Sequence, residues 1–269
     1  MAGGAASTPL AEQLRALKDQ IRQQPGQAAL RVHYFQLLCV LGEWTKALAQ
    51  LQLCAQLDPK AAPMARAYRE VIRCEVLRAE VFAGRRRPFL IGEPPPWLAW
   101  LLDALALQAQ GQADAAHALR AQALEQAPAT PGQVDGQSFA WLADSDTRLG
   151  PVVELIAQGN YYWLPLHSLQ HIGFEPVQDL RDLVWLPCAA TLAHGGELQG
   201  FMPARYPLAP HDNAADGDAL KLARRTQWTA LGEDHQAGHG QRCWVADTDD
   251  FAMLQVRRIV LAGAAPAQA

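Results

Sequence analysis

Two stretches of this chain are punctuated alike. LGEWTKALAQLQLCAQLDP, residues 41–59, places glycine at 42 and proline at 59, and ALQAQGQADAAHALRAQALEQAP, residues 106–128, places them at 111 and 128, the same 17 residues apart. Small residues fall at matching offsets between them: Ala47 and Cys54, with Leu51 in the space between, and Ala116 and Ala123. A glycine that lets one helix end, small side chains where two helices cross and a proline that stops the second predict closely packed antiparallel helix pairs. Few other arrangements need all three marks at a fixed interval. AALRVHYFQLLCVL supplies the helix before Gly42, and Pro25 lies 34 residues before Pro59. The segment from Pro9 to Gln24 therefore reads as the second half of a truncated unit, its start capped by Ser7 or Thr8 ahead of Pro9.

This spacing resembles a tetratricopeptide repeat. The middle unit departs from it: PMARAYREVIRCEVLRAEVF, residues 63–82, is one helix with Met64, Tyr68, Val71, Cys74 and Val81 on a common side. Where a partner helix belongs comes AGRRRPFLIGEPPPW, whose glycines and prolines demand a loop. The alternative is an αα-hairpin bundle without repeat ancestry, and the shared 17-residue offset argues against it.

Past residue 130 the hydrophobic period changes. ATPGQVDGQ reads as a linker and DSDTRLGPVVELIAQGN as a short helix ended by Gly159. The segments YYWLP, DLVWLPCAATL, ELQGFMPARYP, LARRTQWTALG, QRCWVAD and MLQVRRIVL are short, rich in aromatic or β-branched residues and bounded by Pro or Gly, as strands are. The expected fold is α+β in two parts: a tetratricopeptide-like helical domain over 1–130, an α+β domain with a mainly antiparallel sheet over 131–262, and a frayed tail over 263–269. DNAADGDA, 212–219, is expected as an exposed loop.

The 269 residues carry 23 basic and 27 acidic side chains, unevenly divided: residues 1–130 net +3 and residues 131–269 net −7. Basic charge concentrates in residues 60–87, but without aromatic interleaving in an acidic chain, so no nucleic-acid partner is expected. No apolar run approaches the ~20 residues of a membrane span, and MAGGAASTPLAEQL lacks the features of a signal peptide, so the expected location is cytoplasmic. Five cysteines, odd in number and set in apolar surroundings, are expected as buried thiols without disulfides.

Phosphate-binding and nucleophile motifs are absent from the sequence, and no cofactor is expected. His167 and His171 are four apart, which on a helix would put them on one face, yet no further ligand stands near to complete a zinc site. His235 and His239 share the spacing inside EDHQAGHGQ, which reads as a loop. Asp212, Asp216 and Gly217 lack the remaining ligands of a calcium loop. Asp144, Asp146 and Glu154 are conceivable acid–base carboxylates, but read better as solvated charges at a loop and helix start. Arg66, Arg69 and Arg73 fall on one helical face, opposite the apolar side, either as a solvated surface or as a partner site. Trp44 stands at a repeat turn; Trp163, Trp185, Trp228 and Trp244 suit cross-strand packing, and Trp97 and Trp100 an anchor for the loop before them.

FQLLCVLGEWTKALAQLQLCAQLDP, MARAYREVIRCEVLRAEVFAGRRRPFLIGEPPPWLAWLLDAL, DSDTRLGPVVELIAQGNYYWLPLHSL, DLRDLVWLP and GFMPARYP together resemble the ImpE family, also called TagJ, of type VI secretion accessory proteins, over residues 28–260. The resemblance implies a cytoplasmic, non-enzymatic protein with a tetratricopeptide-like N-terminal part. It further implies binding to the N-terminal helix of the small sheath subunit, TssB, with an influence on sheath assembly or its recycling by the ClpV ATPase. Repeat geometry then suggests a groove lined by Val32, Gln36 and Cys39 of one helix and Arg66 and Arg73 of the next. Apolar positions would give affinity and the arginines orientation toward an acidic guest. The rival expectation is a hydrolase in the C-terminal half, using the acidic cluster or His167 and His171.

Overall fold

The structure is a computed structural model that describes residues 8–209 and 217–262. Helices fill the described chain up to residue 126: α1 (Leu10–Gln23), α2 (Ala28–Leu41), α3 (Trp44–Leu57), α4 (Ala62–Phe82), α5 (Pro96–Ala109) and α6 (Ala113–Gln126). Strands follow: β1 (Gly132–Val134), β2 (Gln137–Phe139), β3 (Leu142–Asp144), β4 (Val152–Ala157), β5 (Asn160–Pro165), β6 (Leu169–Phe174), β7 (Trp185–Leu192) and β8 (Glu197–Pro203). A short helix, α7 (Gly217–Lys221), precedes β9 (Thr226–Ala230), β10 (Gln236–Gly240), β11 (Cys243–Ala246), β12 (Asp250–Ala252) and β13 (Arg258–Leu261).

The repeated punctuation does what its chemistry requires. Gly42 and Gly111 end α2 and α5 at φ 73° and 76°. The amides of Glu43 and Gln112 donate back to Leu38 and Leu107 carbonyls at 2.9 and 3.0 Å, the hydrogen bond of a glycine-closed helix end. Ala47, Leu51, Cys54, Ala116 and Ala123 are fully buried where the paired helices meet. At the offset of Leu51 the second unit carries Arg120, also buried. The loop after α4 is as expected, with one addition: Phe89 bridges to β5, its amide donating to Tyr161 O at 2.8 Å and its carbonyl accepting from Trp163 N at 3.1 Å. That contact covers part of an edge that would otherwise be open.

Eight strands pair antiparallel in the order β2-β1-β13-β6-β7-β8-β4-β5; β12-β11-β3 and β10-β9 form smaller antiparallel sheets. Each of the six expected strand segments contains a strand. Five local expectations fail. GPVVELIAQGN forms β4 and its turn, not a helix; all six residues of β4 are buried, so neither face shows the polar alternation that marks a half-exposed strand. Gln158 and Gly159, at φ 51° and 74°, make the two-residue hairpin turn into β5. The stretch read as a linker holds β1 and the start of β2, and the histidine-containing loop holds β10. Thr8 does not cap α1: the Leu10 amide donates instead to Asp218 Oδ2 at 2.8 Å, from α7, in a segment expected to be exposed loop. Ser7, residues 212–216 and the tail 263–269 lie outside the described residues.

Helices and sheet share one apolar cluster. Phe35, Leu51, Tyr68, Ile72 and Leu101 pack with Val152, Ile156, Trp163 and Trp185, and Tyr68 lies 5.4 Å from the Phe201 ring and 6.1 Å from that of Trp185. Alternate residues of β4, Val153 and Leu155, enter a second cluster on the far side with Leu186, Met202, Trp244 and Ile259. Glu154 faces the helices, and this is where the carboxylates read as solvated are corrected. Asp144, Asp146 and Glu154 are buried, at 2%, 0% and 0% exposure.

Each finds a cation, because an unpaired charge there would cost many kcal/mol. Arg78 of α4 donates from Nε to Glu154 Oε1 at 2.6 Å and from Nη2 to Oε2 at 3.1 Å; Arg242 donates to the same Oε2 at 2.7 Å and also holds Asp144. The Tyr161 hydroxyl donates to Glu154, Trp163 Nε1 to Tyr161, and Tyr206 to Asp144 at 2.9 Å. Glu75, one turn before Arg78, accepts from Arg78 and from Trp185 Nε1 at 2.9 Å. Asp146 is held by Arg148 and by the Gly238 amide. Burial alone would raise the Glu154 carboxyl, but Arg78 and Arg242 outweigh it and bring it down to about 2. Burial lifts Asp144 to about 6 against the pull of Arg242.

Two outcomes are expected. Asp218→Ala should lower the unfolding free energy by about 0.5–2 kcal/mol, the loss of a helix cap, whereas Thr8→Ala changes it by less than about 0.5 kcal/mol, both read by urea unfolding. Glu154→Gln should cost about 3–5 kcal/mol by removing the carboxylate that Arg78 and Arg242 share, leaving each buried arginine with only its second acid, Glu75 or Asp144. Because the folded carboxyl is depressed below its ordinary 4.5, the gap between wild type and variant is full above about pH 4.5 and narrows as pH falls toward about 2. A pH-independent gap would contradict the charge account.

Candidate partner-binding surfaces

The buried network determines where the helices stand and therefore what they expose. Arg205, just after β8, donates to the Cys39 and Val40 carbonyls at 2.9 and 2.6 Å, placing a cation on the last turn of α2. Arg78 also donates to the Arg205 carbonyl at 3.0 Å. The C-terminal end of α2 and the middle of α4 are thus tied to the same piece of backbone.

Of the five residues expected to form one groove, the structure places two together. Val32 and Gln36 are half-buried on α2 and line a cleft of 710 Å³ whose other wall is the segment between β6 and β7, through Val177, Leu180 and Leu183. Cys39, one turn further, is fully buried, and burial pushes its thiol far above the ordinary range; it supports the helix from beneath and offers no surface. Arg66 is exposed and lines a second cleft, of 400 Å³, with Ala67, Glu70, Gln158 and Phe201. Arg73 stands nearby, bonded to Glu70 at 2.6 Å and to the Gly159 carbonyl of the β4–β5 turn at 2.8 Å. Arg66 has no ion pair among the described residues.

The wall opposite Val32 was not placed by sequence periodicity. It is a loop, and its rigidity comes from contacts between neighbours: Asp182 accepts from the Gln178 and Asp179 amides at 2.7 and 3.1 Å, and Arg181 pairs with Asp179. The Arg181 guanidinium also lies 4.7 Å from the centre of the Tyr68 ring, which fastens the loop to α4. DLRD in the quoted DLRDLVWLP is the visible trace of that device, an Asx-type turn closed by its own acids.

The histidine pairs do not converge. His167 lies in a 3-10 turn against Trp97 and His171 in β6, so the shared helical face does not exist; burial lowers the pKa of both. His239 lies in β10 with Nε2 3.0 Å from Thr229 Oγ1. Among the described residues no group of three or more His, Cys, Asp or Glu is placed to hold a metal ion, and no helix is long and apolar enough to cross a membrane.

Comparison with known proteins agrees with this arrangement. The sequence model of the family described as ImpE protein matches residues 136–260, the strand-bearing part. The type VI secretion system accessory component TagJ of Pseudomonas aeruginosa is 47% identical over 251 residues, covering 93% of this chain and 86% of that protein. The crystal structure of protein VPA1032 from Vibrio parahaemolyticus superposes with a TM-score of 0.85 at 25% identity, over 95% of this chain and 94% of the other. Identity at that level along nearly the whole length, through helices and strands alike, means that the chain belongs to the ImpE/TagJ family of type VI secretion accessory proteins.

Proposed function

We propose that this protein is a non-enzymatic cytoplasmic adaptor that holds the N-terminal helix of the small sheath subunit, TssB, on its helical face, and through that contact bears on sheath assembly and on recycling by ClpV. The observation that carries the reading is the cleft beside α2, where Val32 and Gln36 face Val177, Leu180 and Leu183. An amphipathic helix recognises a surface of this kind through spaced apolar anchors, and the fixed loop opposite α2 supplies a preformed wall. In this reading Arg66 and Arg73, on the α4 side and outside that cleft, would orient acidic groups flanking the guest helix, Arg73 by exchanging its exposed pairing with Glu70.

The non-enzymatic reading draws support from the carboxylates. The oxygens of Glu154 and Asp144 are taken by arginine and tyrosine donors inside the fold. No other observation favours a hydrolase.

Isothermal titration of the TssB N-terminal peptide separates the contributions. Val32→Asp should abolish binding at every salt concentration, because it sets an unpaired carboxylate in the apolar contact. Arg66→Glu with Arg73→Glu should weaken binding by about tenfold at low salt and less at high salt, as exposed charges are screened. Circular dichroism should show both variants folded. Unchanged affinity in both would move the site away from the helical face.

A further inference from the structure

A further concave surface is lined by other elements, and nothing in the adaptor reading uses it. The C-terminal end of α6, β3, β11 and the start of the β9–β10 hairpin enclose a pocket of 630 Å³. Its walls are mainly apolar, from Leu124, Pro128, Leu142 and Val245, and two tryptophans stand in its lining, Trp141 and Trp228. These rings are 39% and 40% exposed, whereas Trp163, Trp185 and Trp244 are wholly buried. Two large aromatic side chains left half in water at one opening are the mark of a surface that another group covers.

The charge around it has one sign. Of the lining residues Asp144 and Asp250 are acidic and none is Lys, Arg or His. Asp144 is neutralised from behind by Arg242, but Asp250 is exposed and makes no ion pair among the described residues. It closes the turn Asp247-Thr248-Asp249-Asp250 between β11 and β12, and that turn is pinned at the mouth: Asp247 accepts from the Ala140 amide at 2.8 Å, next to Trp141. Arg224 and Arg225 precede Thr226 of the lining but do not enter it. An acidic rim sets up a negative potential that attracts a cationic group, while the apolar floor rewards an uncharged anchor beneath it.

We infer that this pocket docks a protein segment in which a branched aliphatic or aromatic side chain is flanked by lysine or arginine. A small cation would leave the apolar floor uncovered, and a purely apolar group would leave the acidic turn unanswered; a basic amphipathic segment meets both. The occupant is opposite in charge to the acidic-flanked guest proposed for the helical face, so the two surfaces select different partners. The adaptor then joins two chains rather than holding one.

The test uses the full chain and three short fluorescein-labelled peptides, alternating leucine and phenylalanine with lysine, with serine or with glutamate, followed by fluorescence anisotropy. The lysine peptide should bind at least about tenfold more tightly than the glutamate peptide. Trp141→Ala should weaken the lysine peptide by about tenfold or more, with Trp228→Ala as a second ring variant should either perturb folding. Asp249→Lys with Asp250→Lys should remove the preference over serine at low salt. Arg66→Glu, on the other surface, should leave this binding unchanged, so its outcome is separate from that of the sheath peptide. The inference is overturned if the three peptides bind alike, if the lysine peptide is indifferent to both the tryptophan and the aspartate changes, or if lysine amide alone competes as well as the peptide.

Discussion

Glu154 is a carboxylate with no exposure to water, on a strand that is buried on both sides, and the molecule is arranged around keeping it paired. Arg78 reaches it from α4 and Arg242 from the residue before β11, so one acidic side chain joins the longest helix, the large sheet and the small sheet. Such a group is not retained for cheap stability, since a buried ion pair repays little more than its own desolvation. What it imposes is position. The donors around it are taken up in turn: Glu75 takes Arg78 and Trp185, Tyr161 takes Trp163, and Asp144 takes Arg242 and Tyr206. A sliding of α4 along the sheet by one residue would break several of these at once.

The same constraint reaches the surface. Arg205 holds the end of α2 and accepts Arg78 at its own carbonyl, so the cleft beside Val32 and Gln36 is referenced to the buried charges, not only to helix packing. Its far wall is referenced to α4 by Arg181 over Tyr68. A cleft whose two walls are tied down this way needs little ordering to receive a ligand.

How far the sequence could be read depended on whether information was local. Gly42, Ala47, Cys54, Pro59 and their counterparts from Gly111 to Pro128 act on their own neighbourhoods, and the helix pairs are legible from them. The change of period near residue 130 was equally plain. β4 was not, because a strand buried on both faces reads as a continuous apolar run, and Gly159 serves a hairpin as well as a helix end. Asp218 capping α1 from 208 residues away has no local trace. Neither do the partners of Asp144 and Glu154, which come from 98 and 76 residues away and turn apparent surface charges into interior ones. Of the residues lining the α2 cleft, Val32 and Gln36 could be placed on one helical face from periodicity; Leu180 and Leu183 could not be placed opposite them, since a loop's position is set by what it packs against.

That helices and sheet form one unit, held by a common core and the charges around Glu154, is the claim from which the rest follows. Equilibrium unfolding in urea tests it with two probes of different parts: far-ultraviolet circular dichroism at the helical band, which reports mainly α1 to α6, and tryptophan emission from a variant with Trp44, Trp97 and Trp100 of the helices replaced by Phe, which leaves Trp163, Trp185 and Trp244 of the strands among the reporters. A shared core predicts coincident transitions with one midpoint and one slope. Helical signal lost at lower urea while tryptophan emission stays native would contradict it, and would make the helical face a separately folding module whose clefts the sheet does not define.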